Sequence, residues 1–127
     1  MFGLDETLKY HLYGSYINLG SGTEKLSTLA VEKPGSNPLA GDAYLFFSKD
    51  KTCVKILRWN IDGYILYEKR LERGTFELPR FKPGQRWIEL EWRHFLMIMS
   101  GIPLKYAKFR KRLDITIYHT VCQFVAF

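Results

Sequence analysis

The stretch "VKILRWNIDGYILYEKRLERGTFELP", residues 54–79, decides the fold. It holds two runs rich in β-branched and aromatic residues, "VKILRW" and "YILYEKRL", and both runs favour strands. The four residues between them, "NIDG", have the composition of a hairpin turn. After the second run the stretch becomes basic and meets Gly74 and Pro79. The sequence therefore predicts a hairpin with a basic segment leaving it.

Two registers of this hairpin are open. A four-residue loop at residues 60–63 pairs Leu57 with Leu66, whereas a turn closed on Asp62-Gly63 alone pairs Leu57 with Glu68. We favour the four-residue loop because it pairs apolar residues with each other and opposite charges with each other. Its pairs are Trp59 with Tyr64, Leu57 with Leu66, Ile56 with Tyr67, and Lys55 with Glu68.

Both faces of the predicted hairpin mix apolar and charged residues. One face carries Lys55, Leu57, Trp59, Tyr64, Leu66 and Glu68, and the other carries Val54, Ile56, Arg58, Ile65, Tyr67 and Lys69. A sheet with apolar groups on both sides needs cover on both sides, from helices or from a partner chain. In a chain this short, that need favours a homodimer or a long wrapping tail. We expect Leu57 and Trp59 to lie in the core.

The segments before and after the hairpin complete the sheet. "DAYLFFS" (residues 42–48) is typical of a strand, and "KDKT" is the right length to join it to the hairpin, which gives an antiparallel meander. "KYHLYGSYINL" (residues 9–19) predicts an earlier strand. "RGTFELPRFKPGQR" (residues 73–86) is rich in glycine and proline and predicts an extended arm.

Two helices are expected to pack on this meander. "SGTEKLSTLAVEKPG" (residues 21–35) begins with the capping box Ser21 and Glu24. "LEWRHFLMIMSGIP" (residues 90–103) has apolar residues at i, i+3, i+4 and i+7, which predicts a helix packed on the sheet. That stripe consists of Trp92, Phe95, Leu96 and Met99. On this interpretation Glu89 and Glu91 are acids of the first helical turn.

These elements predict one α+β domain over residues 1–127, with a central antiparallel β-meander and two packing helices. A chain of this length buries enough surface for a single core. The core is expected at about residues 9–102, and a basic segment with a tail at 103–127. The tail sequence "DITIYHTVCQFVAF" predicts a last strand.

Composition excludes several classes of protein. Cys53 and Cys122 are the only cysteines, and without a CxxC pair or a histidine at ligand spacing they predict neither a metal site nor a disulfide framework. No window reaches the roughly 18 apolar residues of a membrane span, and the first residues lack the basic start of a signal peptide. We therefore expect a cytoplasmic protein without cofactor, metal or membrane contact.

Positive charge is concentrated in the second half of the chain. Residues 1–64 hold seven basic and seven acidic residues, whereas residues 65–127 hold twelve and six, which accounts for the net charge of +6. A positive electrostatic field attracts polyanions such as nucleic acids. The alternative interpretation is a solvated basic surface that keeps the protein soluble and binds nothing. The candidate nucleic-acid-binding residues are Lys69, Arg70, Arg73, Arg80, Lys82, Arg86, Lys105, Lys108, Arg110, Lys111 and Arg112. Phe76, Phe81, Trp87, Tyr106 and Phe109 lie between them and offer rings for stacking on unpaired bases.

The sequence contains no recognisable catalytic motif. His11, His94 and His119 belong to no catalytic or metal-binding motif, and each alone indicates a structural role. "LGSGTEK" (residues 19–25) lacks the spacing of a phosphate-binding loop, so a turn before a helix is the better interpretation. We therefore expect no catalytic residues and no enzyme.

The middle of the chain resembles a known family. Residues 41–79 are similar to the core of the small accessory protein, also called TnpB, encoded as the second open reading frame of bacterial insertion sequences of the insertion sequence 66 class. The shared elements are the strand opening at Gly41, Lys55-x-Leu57-x-Trp59, the turn at Gly63, and Tyr67-x-Lys69-Arg70-Leu71-Glu72-x-Gly74-x-Phe76. "WIELEWRHFLMIMSGI" (residues 87–102) stands in the place of the family's final helix.

The resemblance implies a role in transposition beside a separate transposase, with no catalytic activity established for the accessory protein. The chain departs from the family pattern in two places. "INLGSGTEKL" (residues 17–26) replaces a Thr-Asp-Met-Arg-Lys-Gly stretch, and "SKDKTC" (residues 48–53) replaces an arginine-rich turn. If those arginines contact nucleic acid in the family, this protein has weaker contacts or binds through its C-terminal half.

Two functions are consistent with these observations. The first is a non-enzymatic accessory factor of DNA transposition that binds DNA or RNA through its basic C-terminal half. The second is an adaptor that docks on the transposase of the same element, or on its own copy, without contacting nucleic acid. A continuous positive surface favours the first, and scattered exposed apolar side chains favour the second.

Overall fold

The computed structural model describes residues 3–18, 20–35 and 37–101. Within these residues five strands form one sheet and two helices pack on it, so the predicted α+β class is confirmed. The strands are β1 (Tyr10–Tyr13), β2 (Ala43–Phe47), β3 (Cys53–Asn60), β4 (Gly63–Arg70) and β5 (Trp87–Leu90). The helices are α1 (Thr23–Val31) and α2 (Trp92–Ser100), and a 3-10 turn covers Pro38–Ala40.

The strand order is β4-β3-β2-β1-β5. Strands β2, β3 and β4 form the predicted antiparallel meander, and β1 joins it by pairing parallel to β2. A parallel pair needs a crossover connection, and α1 lies in that connection. β5 pairs antiparallel to β1 and closes the other edge of the sheet.

The favoured hairpin register is confirmed. Leu57 pairs with Leu66, and the register continues until Asn60 pairs with Gly63, so only Ile61 and Asp62 remain unpaired. Asp62 N–H donates to the Asn60 carbonyl, with a nitrogen–oxygen distance of 2.5 Å, and Ile61 has a φ of 53°. A positive φ is unusual for a β-branched residue, so the hairpin tip is strained.

Each face of the sheet is covered by one helix. Leu26 and Ala30 of α1 pack on Tyr44, Phe46 and Leu57. On the opposite face, α2 packs on β1 and β2 through an apolar cluster whose buried helical members are Phe95, Leu96, Ile98 and Met99. Each sheet face thus carries a helix of the same chain, whereas the apolar residues 64–67 of β4 are only half-buried. The need for cover from a partner is reduced, and the homodimer stays a prediction.

Two details of the predicted helices are wrong. The α1 N-cap is Gly22, which makes no side-chain capping bond, while Ser21 is buried and its carbonyl accepts from Lys55 Nζ at 2.6 Å. Glu89 lies in β5 rather than in a helical turn, and Glu91 is the N-cap of α2. The pairing of "WIEL" with β1 delays the helix start, because the same four residues complete the sheet edge. The predicted last strand lies outside the described residues.

Candidate nucleic-acid interface

The two ends of the sheet carry opposite charge. We call "basic end" the end formed by residues 14–18, 20–22, 48–52 and 71–86, and "acidic end" the end formed by residues 3–9, 32–35, 37–42 and 61–62 with Glu91. At the basic end six cations face three acids; the cations are Lys49, Lys51, Arg73, Arg80, Lys82 and Arg86. At the acidic end six acids face two lysines and two arginines, Arg58 beside Gly3 and Asp5 and Arg93 paired with Glu91. The acids are Asp5, Glu6, Glu32, Asp42, Asp62 and Glu91, so this end keeps a net negative charge.

The glycine- and proline-rich arm, residues 71–86, crosses the basic end from β4 to β5. Leu71 N–H donates to the Thr52 carbonyl at 2.7 Å, and Phe76 N–H donates to the Lys51 carbonyl at 2.8 Å. The Phe76 ring is buried edge-on against Phe47, with ring centroids 5.3 Å apart. These contacts hold an arm without regular secondary structure against the ends of the strands.

Four predicted binding residues lie along this arm. Arg73, Arg80, Lys82 and Arg86 are all exposed. The backbone between them is fixed at Lys82, whose N–H bonds Gln85 Oε1 at 3.0 Å, and at Arg86, whose carbonyl accepts from Gly14 N–H at 2.7 Å. The arm therefore presents its cations from a defined path along one end of the molecule.

The two predicted residues on β4 differ in their surroundings. Lys69 Nζ donates to the Met99 carbonyl at 2.8 Å, close to the C-terminus of α2, and burial lowers the pKa of Lys69. A cation is favourable at a helix C-terminus. Arg70 lies exposed at the end of β4, opposite Cys53. The contact of Lys69 also places the end of α2 at the basic end. The remaining predicted residues, Lys105, Lys108, Arg110, Lys111 and Arg112, lie outside the described residues.

Sequence reasoning missed Lys49 and Lys51 in the turn between β2 and β3. Asp50 Oδ1 organises this turn: it accepts from Ser48 Oγ at 2.7 Å and from the backbone and hydroxyl of Thr52, and these bonds lower the pKa of Asp50. Lys51 has a φ of 60°, an uncommon conformation for a lysine. The predicted meander could have identified these two lysines. In an antiparallel meander the β2–β3 turn lies at the same end of the sheet as the arm that follows β4.

A cleft opens at the basic end, where the parallel pair β1–β2 meets the arm. Its volume is about 290 Å³. The lining residues are Tyr13, Gly14, Tyr16, Phe47, Lys51, Leu78, Pro79, Arg80 and Phe81. Tyr16 is 51% exposed, and the Phe81 ring lies directly over Gly14. The cleft combines aromatic walls with two cations.

The glycine-containing segment before α1 has no phosphate-binding motif, as the sequence indicated. Together with the first turn of α1 it borders an open depression lined by both Glu24 and Lys25, so its charge is mixed. The Ser21 hydroxyl is buried and makes no hydrogen bond within the described residues. We assign this segment the role of connecting β1 to α1.

The described residues contain one buried histidine–carboxylate pair that the sequence did not reveal. His11 Nε2 lies 2.9 Å from Asp42 Oδ2, and the imidazole stacks on Tyr44 with ring centroids 5.1 Å apart. Burial lowers the pKa of His11 and outweighs the opposing effect of the hydrogen bond to the Asp42 carboxylate. His11 is 2% exposed, so a substrate has no access to it.

Two other kinds of site are missing from residues 3–18, 20–35 and 37–101. This part of the chain holds no group of three or more histidine, cysteine, aspartate or glutamate residues able to bind a metal ion. None of its helices is long and apolar enough to cross a membrane.

Comparison with known proteins agrees with the resemblance noted in the sequence. No curated protein and no solved structure matches the chain. The family model described as "IS66 Orf2 like protein" matches residues 8–109, which include the whole sheet, both helices and the arm. This match covers most of the chain, and the family carries an accessory role in transposition rather than a known enzymatic activity. The chain belongs to the IS66 Orf2-like family of transposition-associated proteins.

Proposed function

We propose that this protein is a non-enzymatic accessory factor of DNA transposition that binds nucleic acid through its basic end. The observation that carries the proposal is the separation of charge between the two ends of the sheet. A one-sided positive field attracts the phosphate backbone and orients the protein on it. The family supplies the setting of transposition, in which DNA is the substrate.

The geometry of the arm supports backbone contacts rather than base reading in a duplex. Its four exposed cations come from an extended segment, and neither helix presents a row of basic residues to a groove. Contacts of this kind position a protein on nucleic acid without reading its sequence. Lys69, Arg70, Lys105, Lys108, Arg110, Lys111 and Arg112 belong to the same proposal.

Salt-dependent binding tests the proposal. Fluorescence anisotropy with labelled DNA and RNA should give affinities that fall steeply with salt. The double variant Arg80→Gln/Lys82→Gln should weaken binding and reduce the slope of log affinity against log salt by about 0.7–0.9 for each phosphate that the protein no longer neutralises. Lys9→Gln/Lys33→Gln is the matched control, because it removes the same charge at the acidic end.

The comparison of the two double variants separates a local site from a general charge effect. Weakening by the Arg80/Lys82 variant alone supports the basic end as the interface. Equal weakening by both double variants would mean that net charge alone governs binding. Absence of binding at low salt would refute the proposed function.

A second candidate function, the docking adaptor, is favoured by a specific observation at the acidic end. Val31, Leu39 and Ile61 are 65%, 63% and 90% exposed, and all three lie at this end or directly beside it, among acidic residues. Exposed apolar side chains with an acidic rim suit a basic protein surface, such as that of a nucleic-acid-binding transposase. Pull-down with the purified transposase of the same element tests it: Leu39→Asp should abolish capture, and unchanged capture would contradict the adaptor role.

A further inference from the structure

The cleft at the basic end has the features of a site for a flat aromatic ligand. Tyr16 and Phe81 line it, and about half of the Tyr16 side chain is exposed to solvent. An exposed tyrosine beside a second ring provides stacking surface that the apolar core does not use. With a volume of about 290 Å³, the cleft lies at the lower end of the range typical of small-molecule sites, so it fits one planar group rather than several.

The charges around the cleft decide which planar group it suits. Lys51 and Arg80 line it directly, and Lys49, Lys82 and Arg86 lie in the adjoining segments of the basic end. Two carboxylates adjoin the lining residues in sequence: Asp50, which accepts from Ser48 and Thr52 and stays ionised, and Glu77, which is exposed. The five cations still outnumber these two acids. A ligand that combines a planar ring with negative charge therefore complements both the walls and the rim.

We propose that the cleft holds one unpaired base of a single-stranded nucleic acid, stacked against Tyr16 and Phe81, with Lys51 and Arg80 on the neighbouring phosphates. This inference rests on the proposed nucleic-acid binding and adds to it a preference for single strands. A base in a duplex is stacked on its neighbours and cannot enter the cleft, whereas an unpaired base offers its face at little cost. The site is sequence-tolerant because every base has such a face.

The architecture keeps the cleft in place before a ligand binds. The Lys51 carbonyl is bonded to Phe76 N–H, and the Phe81 ring is seated on Gly14. Gly14 N–H donates to the Arg86 carbonyl, and Ile17 N–H, next to Tyr16, donates to the Phe47 carbonyl, so the segments that carry Lys51, Phe81 and Tyr16 are each held by backbone bonds or packing. A preformed site loses less conformational freedom on binding than a mobile arm would.

The test uses the full-length protein with an oligothymidylate, a matched duplex, and a single strand carrying one 2-aminopurine. Wild type should prefer the single strand and quench the 2-aminopurine emission. Tyr16→Ala should weaken single-strand binding by roughly five- to a hundredfold, the effect of losing one stacked base, and leave the salt slope unchanged because no charge is lost. Tyr16→Phe keeps the ring and should retain the affinity. Phe81→Leu keeps an apolar group over Gly14 and should lose the quenching.

The outcomes distinguish the cleft from the interface as a whole. If Tyr16→Ala and Phe81→Leu bind single strands like wild type while Arg80→Gln/Lys82→Gln binds more weakly, the basic end binds nucleic acid without the cleft and the inference is wrong. Equal affinity of wild type for duplex and single strand also overturns it. If wild type shows no salt-dependent binding to either, the proposed function fails first.

Discussion

Gly14 is the residue at which the cleft, the arm and the sheet meet, and its replacement by alanine should be costly. A Cβ atom at this position would lie 2.8 Å from two ring carbons of Phe81 and 2.9 Å from the Arg86 carbonyl oxygen. All three distances are shorter than the van der Waals contact distance between a Cβ atom and a carbon or oxygen atom. The Arg86 carbonyl cannot retreat freely, because it accepts the Gly14 N–H bond at 2.7 Å.

The expected cost follows from these contacts. Overpacking of a closed contact costs about 1–3 kcal/mol, and loss of one backbone hydrogen bond adds about 1 kcal/mol. We therefore expect Gly14→Ala to lower the free energy of unfolding by about 2–4 kcal/mol, a large part of the roughly 5–15 kcal/mol of a typical domain. Urea unfolding followed by tryptophan fluorescence measures this difference, provided that the slope with urea stays constant.

Gly20→Ala is the matched control. Gly20 lies in the same connection, and a Cβ atom there would meet no atom within 4 Å. Its replacement should be neutral or stabilise the protein by up to about 1 kcal/mol, because alanine restricts the unfolded chain. If Gly14→Ala unfolds at the same urea concentration as Gly20→Ala, then Phe81 and Arg86 do not pack against Gly14 as described, and the proposed cleft wall is wrong as well.

Three further predictions concern stability. The depressed pKa of His11 means that neutral His11 contributes stability in full above its ordinary pKa of 6.5 and that this contribution is lost as pH falls through the lower folded-state pKa. Urea unfolding across this range should show a larger loss for wild type than for His11→Gln, which keeps only the loss due to carboxylates such as Asp50. Lys69→Ala removes the bond to the Met99 carbonyl and should cost about 1–2 kcal/mol in the same assay, whereas Arg80→Gln should leave stability unchanged. Ile61→Gly relieves the positive φ at the hairpin tip and should leave the thermal midpoint unchanged or raise it, and a clear fall in the midpoint would contradict the strain.

The hairpin was predictable because its own residues determine it. Opposite charges and apolar side chains match in only one register, and the sheet confirms the pairs from Trp59 with Tyr64 to Lys55 with Glu68. Trp59 is only half-buried, since it sits at the strand end and packs edge-on against Tyr64 rather than under a helix. Local pairing could be read from the sequence, but the depth of burial could not.

The edges of the sheet could not be predicted in the same way. β5 is four residues long and is followed almost directly by α2. The alternation of apolar and polar residues in so short a strand cannot be told apart from the helical spacing that follows it. Its strand conformation depends on pairing with β1, which lies more than seventy residues earlier in the chain. The predicted N-cap of α1 was wrong for a related reason. Lys55 of β3 donates to the Ser21 carbonyl, and this contact between residues distant in sequence overrides the local capping pattern.

The sequence predicted which basic residues belong to the candidate interface in part, but it did not predict which of them lie at the same end of the sheet. Counting charge along the chain identified Arg80, Lys82 and Arg86, but it divided the sequence into halves and therefore assigned Lys49 and Lys51 to a neutral region. The meander brings the β2–β3 turn beside the arm, so the relevant division is between the ends of the sheet. Tyr16 gave no signal, because its exposure depends on how the arm crosses β1.

A non-glycine residue with positive φ lies at each end of the sheet. In the described part of the chain, Lys51 and Ile61 are the non-glycine residues with positive φ, and they occupy the turns on either side of β3. Glycine would satisfy each turn at lower conformational cost, so a side chain there carries a local penalty. Lys51 lines the cleft of the basic end, and Ile61 is the most exposed large apolar residue of the acidic end. The same strand thus has an uncommon backbone conformation beside each of its ends, at a cation that lines the cleft and at an exposed apolar side chain of the candidate docking surface.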